Sequence, residues 1–132
     1  MRHYAEDQGW GVHSDAAHNL LIRKPAADGQ EGRPGIVIQG HLDMVAEKEP
    51  GSAHDFLMDP IRLVREGDVL HADGTTLGAD NGMGVSIGLA ILDSDAAHPP
   101  LELLLTTGEE TGLTGAQALT PGLVQASYLL NL

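Results

Sequence analysis

The apolar positions of this chain fall into short, dense runs separated by glycine- and proline-rich breaks. Ile36-Val37-Ile38-Gln39 is apolar up to its last residue, and Leu101 to Leu105 is apolar except at Glu102. Runs without a two-residue alternation suit strands covered on both faces. Ser127 to Leu132 predicts a third strand of that kind. Asn19 to Lys24 predicts a strand ended by Pro25 and the loop 26–35. Ile61 to Arg65 and Asp68 to Ala72 flank Glu66-Gly67 and predict a hairpin, expected to make the sheet mixed. From Gly82 to Leu92, Val85, Ile87, Leu89, Ile91 and Leu92 stand among small residues. That pattern predicts a helix buried on most sides, with Asp80 or Asn81 as its cap. Gly112 to Leu119 predicts a short helix stopped by Pro121-Gly122. Met1 to Gln8 predicts a polar helical start, and Glu47 to Pro60 a loop. Strands alternating with helices give an α/β fold, here a mixed, mostly parallel sheet flanked by helices.

With 132 residues the chain can build one domain with a real core. Aromatic residues make up only 3%, so that core must be aliphatic. There is no cysteine, which excludes a disulfide framework and a thiolate metal site and fits a reducing compartment. No apolar run approaches the roughly 18 residues of a membrane helix. Met1 to Asp7 has no apolar leader region. A cytoplasmic location without membrane contact is therefore expected. The net charge of −12 repels a nucleic acid backbone and favours divalent cations or the ammonium of a small peptide. Solubility alone would also account for much of it.

Three polar clusters lie on or just after these runs: His41-Leu42-Asp43, Gly78-Ala79-Asp80-Asn81-Gly82 and Glu109-Glu110. A buried strand ending in His, Asp or Glu delivers hard ligands to the rim where open α/β sheets build their sites. One imidazole with several carboxylates is the ligand set of a hydrolytic metal site. His41 and Asp43 share a face on an extended backbone, and a ligating imidazole usually has its free N–H held by a partner. Asp80 has two oxygens and can bridge two metals, which in co-catalytic sites lie roughly 3.5–4 Å apart. On a strand, adjacent Glu109 and Glu110 point to opposite sides, so one can ligate metal while the other faces the attacking water. Each cluster alone has a plainer reading: a surface pair, a helix cap, a solvated acidic turn.

Gly82-Met83-Gly84-Val85-Ser86-Ile87-Gly88 imitates a dinucleotide loop. It follows a loop carrying an acid, not a strand, and tight packing of a small-residue helix explains its glycines better. His3, His13, His18, His54, His71 and His98 lack partners at informative spacing. Ser14, Ser52 and Ser94 sit in no nucleophile elbow.

The runs Gln39 to Val45, Thr75 to Gly82 and Thr107 to Gly112 together resemble the co-catalytic metallopeptidases of the M20 type. His54-Asp55-Phe56 and Asp59-Pro60-Ile61 are similar to its aminoacyl-histidine dipeptidase branch. The resemblance implies a zinc-exopeptidase-like catalytic domain using two zinc ions, with cobalt or manganese as substitutes. It implies His41, Asp80 and Glu110 as metal ligands, with Asp80 the bridge. Glu109 is then the general base and Asp43 the partner behind His41. The implied reaction is hydrolysis of dipeptides, Xaa-His among them. Another M20-type amidohydrolase or tripeptidase is the alternative.

The sequence departs from that pattern at both ends. In the resembled family an Asp ligand follows the strand that here ends at Asn131-Leu132. A further His ligand comes after an inserted lid or dimerisation domain, and the family's first helix comes before Met1. Residues 1–132 are thus expected to be a partial catalytic domain without the lid, from a homodimeric parent. A metal-binding remnant with little activity of its own is the reading from a different class.

Overall fold

The computed structural model describes residues 1–132. Its elements, in chain order, are α1 (Arg2–Asp7), β1 (Gly11–Ser14), β2 (Leu20–Lys24), β3 (Ile36–His41), β4 (Leu63–Glu66), β5 (Val69–Ala72), α2 (Ala79–Asp93), β6 (Leu101–Thr106), α3 (Thr114–Gln117) and β7 (Tyr128–Asn131). Five strands form one sheet in the order β1-β2-β6-β3-β7. β3 runs parallel to β6 and β7, while β1 and β2 are antiparallel to their neighbours. The architecture is the mixed α/β one the sequence predicts.

β6 lies at the centre, and all six of its residues are buried. Its side chains alternate between two layers, as the pleat dictates. Leu101, Leu103 and Leu105 join Leu20, Ile22, Ile38, Val85 and Leu92 beneath α1 and α2. Leu104 joins Leu21 and Val37 on the other face, covered by Leu119, Leu123 and Val124. Glu102 shares that second face. It is 5% exposed and paired with Arg23 at 2.8 Å. Its other oxygen accepts the N–H groups of Gln125 and Ala126, both at 2.9 Å. A buried carboxylate needs such partners, and these fasten the covering segment to the sheet.

α2 crosses β3 and β6 through its small residues. A Cβ on Gly88 would lie 2.5 Å from Leu103 Cδ1, whereas one on Gly82 would meet nothing. The side chain of Asn81 sits between Gly40 and Gly84. A Cβ on either glycine would overlap its Oδ1, which has no hydrogen-bond partner. Its Nδ2 donates to the carbonyl of Leu132 at 2.7 Å.

Three expectations are corrected, and β1 is a strand the sequence pattern did not predict. The β4–β5 hairpin forms its own two-stranded sheet, so the antiparallel character of the main sheet comes from β1 and β2. β1 itself is too short and too exposed to announce itself in the sequence. α2 is covered on one side only, with Met83, Ile87 and Ile91 exposed. β7 is an edge strand whose four residues are all exposed, although its composition is that of an inner strand. Composition reports what a strand can bury, and its place in the sheet decides what it does bury.

Candidate functional site

β3 and β6 are parallel, with His41 in register with Thr106. Their C-terminal ends therefore open on the same rim, and the chain leaves each strand carrying acidic residues. β6 neighbours β3 on one side and β7 neighbours it on the other. A crevice at such a switch of direction is where open α/β sheets place their ligands.

His41 ends β3 and is 7% exposed. Its Nδ1 lies 2.9 Å from the carbonyl oxygen of Asp43, and its Nε2 lies 3.0 Å from Asp80 Oδ1. In the neutral ring, Nδ1–H donates to the carbonyl and Nε2 carries a lone pair. That lone pair faces a carboxylate oxygen, an arrangement that calls for a proton or a cation between them. Burial alone would lower the pKa of His41. The bonds to Asp43 and Asp80 and the charges of Glu109 and Asp43 outweigh it, and the net shift is upward.

Asp80 belongs to the first turn of α2 but does not cap it. The cap position is Gly78, at φ 76°, and no side chain caps the helix. Asp80 itself is non-helical, at φ −89° and ψ 108°, and its peptide bond to Asn81 is cis. The expectation of an Asp80 or Asn81 cap therefore fails. The carboxylate turns to His41 instead, with its side chain 82% exposed toward the rim.

Glu109 and Glu110 follow β6 in a turn entered through Gly108, whose φ is +63°. Because they lie on a turn, the strand alternation that would send them to opposite sides does not apply. One carboxylate oxygen of each and a ring nitrogen of His41 lie within 4.8 Å of one another. Asp43 comes to the site by a different route from the one expected. Its carboxylate stays 3.7 Å from His41 Nδ1. It accepts the backbone N–H of Glu109 on one oxygen and that of Glu110 on the other, each at 3.1 Å. Burial would raise the pKa of Asp43, but these two N–H groups, its own N–H and the His41 ring outweigh it and hold it below the ordinary carboxylate value.

The rim thus gathers His41, Glu109 and Glu110 into one cluster, with Asp80 joined to it through His41 and Asp43 beneath the glutamate turn. Nitrogen and oxygen donors of this kind, with a surplus of negative charge, suit a divalent cation in a hydrolytic site. The other histidines stand outside this group. His54 packs edge-on against Phe56 at 4.6 Å, and its Nε2 has no hydrogen-bond partner.

Sequence reasoning missed Asn19. Its amide bonds Asp15, Thr107 and Gly115 at once. The only signal was a polar residue opening an apolar run, which a turn explains equally well.

The site is an α/β sheet with an imidazole and carboxylates at the C-terminal rim of its parallel strands, the layout of a peptidase family. Residues 37–131 match the model of peptidase family M20/M25/M40, and the chain belongs to that family. It is 47% identical over 129 residues to the cytosol non-specific dipeptidase of Escherichia coli K12, covering 97% of the chain and 27% of that protein. It is 30% identical over 128 residues to the uncharacterized protein YqjE of Bacillus subtilis, covering 93% of the chain and 31% of that protein. Its structure matches an aminoacylhistidine dipeptidase from Vibrio alginolyticus with a TM-score of 0.91 and 45% identity, covering 98% of the chain and 26% of that one. It also matches the aminopeptidase PepT of Bacillus cereus, with a TM-score of 0.72 and 28% identity, over 97% of the chain and 35% of that one. The chain spans about a quarter to a third of the length of these relatives.

Proposed function

We propose that the chain carries part of the catalytic site of a metal-dependent dipeptidase that cleaves Xaa-His and other unhindered dipeptides. The observations behind this reading are the cluster of a His41 ring nitrogen with the carboxylates of Glu109 and Glu110, within 4.8 Å of one another, and the Asp80 oxygen 3.0 Å from His41 Nε2. His41, Asp80 and Glu110 would hold the metal, two zinc ions with cobalt or manganese as substitutes. When bound, the ions would supply Lewis acidity to the scissile carbonyl and to the attacking water.

The remaining work falls to the chain's own groups. Glu109 takes the proton of the water and later passes it to the leaving amine. Asp43 holds the backbone of both glutamates, so Glu109 stays aimed while Glu110 stays on the metal. The dipeptidase names of two relatives support the substrate class. Three ligands are fewer than two four-coordinate zinc ions take up. On this reading residues 1–132 form a partial catalytic domain. The remaining ligands, a lid and the dimer contact belong to a protein of the relatives' length, acting in the cytoplasm.

The test is Ala-His hydrolysis by the protein extended to that length, stripped with a chelator and reloaded with zinc. Turnover that falls on stripping and returns with zinc is expected. Full turnover without metal would overturn the metal reading, and no cleavage of any dipeptide would overturn the activity. The structural likeness to PepT favours a second reading, a tripeptidase, and faster cleavage of tripeptides than of Ala-His would select it.

A further inference from the structure

We propose that Asn19 is a positioning residue for the turn that carries Glu109 and Glu110. Its bearing on catalysis rests on the reading above, but its hold on the turn does not. Asn19 immediately precedes β2, is 2% exposed, and its side chain bonds neither glutamate. Its Oδ1 accepts the N–H of Thr107 at 3.1 Å, and its Nδ2 donates to the carbonyl of Gly115 at 2.9 Å. Thr107 and Gly115 are the two ends of the segment 108–114. One buried amide thus bonds both feet of the loop on which the glutamates stand.

The same amide is itself anchored. Nδ2 also donates to Asp15 Oδ2 at 2.8 Å, and Asp15 Oδ1 accepts the N–H groups of Ala17 and Asn19, both at 3.0 Å. Thr107 Oγ1 donates to the Ala17 carbonyl at 2.7 Å, a second tie between the β1–β2 turn and the loop. The fit leaves no slack. Gly115 N–H donates to the Thr107 carbonyl at 2.9 Å, and a Cβ on Gly115 would overlap that carbonyl and lie 2.6 Å from Asn19 Oδ1. Only an amide offers an acceptor for Thr107 and donors for Gly115 and Asp15 from one planar group. A buried network with every member satisfied rigidifies what it joins. Here it joins the loop to the antiparallel side of the sheet, while Asp43 holds the same loop from the β3 side.

Amide hydrogen exchange of the metal-free 132-residue chain tests this, with Asn19→Ala and the isosteric Asn19→Asp. Asn19→Asp keeps the acceptor for Thr107, loses both donors and sets a second carboxylate against Asp15. The Glu109, Glu110 and Gly115 amides should exchange about tenfold faster or more in both variants, while amides of the β3–β6 ladder keep their protection. Unchanged exchange at Glu109 and Glu110 would overturn the proposal. So would a rise shared equally by the ladder, or loss of the whole sheet in both variants, since Asn19 would then serve only the fold. A parallel cobalt(II) titration of the same variants in the protein extended to the relatives' length, read by visible absorption, separates the two readings. An extended wild-type protein without a cobalt spectrum would count against the metal centre, and the exchange rates would still decide Asn19. With a wild-type spectrum, a weakened or altered one in Asn19→Asp is expected.

Discussion

Asp43 holds Glu109 by its backbone, not its side chain: a carboxylate oxygen accepts the Glu109 N–H at 3.1 Å, and the second oxygen does the same for Glu110. A residue two positions after β3 therefore fixes the turn after β6, and the proposed base is aimed by the strand next to its own. Asp43→Asn replaces one acceptor with an N–H₂ group that faces an N–H donor. The expected result is a loss of about 1–3 kcal/mol of stability by denaturant unfolding. In the protein extended to its relatives' length, turnover should fall further than metal content.

Glu109→Gln and Glu110→Gln should separate the roles of the two glutamates. Glu109→Gln is expected to cost about 10²–10⁴-fold in turnover with metal content nearly intact, because a general base acts on the water. Glu110→Gln is expected to lose metal as well. Metal analysis beside Ala-His kinetics checks both, and the reverse pattern would exchange the assignments.

The 132-residue chain by itself is expected to bind zinc weakly and to cleave Ala-His far more slowly than a protein of the relatives' length. The three proposed ligands, His41, Asp80 and Glu110, are too few to fill two zinc coordination shells. Calorimetric titration and an Ala-His assay on the chain decide this. Tight uptake of two zinc ions would count against it.

Two sites predict opposite responses to pH in the metal-free chain. Burial works against the Asp15 carboxylate, but the Asn19 side chain, the Asn19 and Ala17 N–H groups and His13 outweigh it and lower its pKa. Its contribution to stability is present above the ordinary value of 3.8 and is lost as pH falls through the lower folded value. The pKa of His41 is raised above 6.5, so its contribution is full below 6.5 and is lost as pH rises through the folded value. Thermal unfolding followed across pH should show both limbs. Asp15→Asn should reduce the acid one, leaving the part that Asp43 carries. A divalent cation must also displace a proton from His41, so its affinity should drop as pH falls through that raised value.

Gly88→Ala and Gly82→Ala should differ in sign. At Gly88 the new Cβ meets Leu103 Cδ1 at 2.5 Å, and overpacking of this kind costs about 1–3 kcal/mol. At Gly82 it meets open space, and alanine should gain up to about 1 kcal/mol of helix propensity. Denaturant unfolding of both variants reads the contrast.

The parts of the fold legible in the sequence are those whose pattern reports burial directly. β3 and β6 are unbroken aliphatic runs because both faces are covered. The β4–β5 hairpin and α2 were readable from turn chemistry and from small residues at helical spacing. β7 misled because an aliphatic run reads alike at the centre and at the edge of a sheet. The clusters around His41, Asp80 and Glu109 stood out because polar residues ending apolar runs are costly without a purpose. What Asp43 and Asn19 do was hidden. Asp43 acts on backbone N–H groups, which leave no mark in the amino-acid types of their partners. Asn19 acts on segments nearly ninety and one hundred positions away, at separations of 88 and 96 residues.

The wedge of Asn81 between Gly40 and Gly84 ties together three positions that mutational tolerance would otherwise treat separately. At 40 the need for glycine is not a property of the site; it is imposed by the volume of the Asn81 side chain, whereas at 84 Leu132 Cβ, 3.0 Å from the added atom, shares in it. With Asn81 in place, alanine at 40 should be harmful. In an Asn81→Ala background, the same substitution should become close to neutral, while alanine at 84 should recover only in part. The effect of one change then depends on the identity of another residue, and an evolving lineage could exchange Gly40 only after the asparagine had gone.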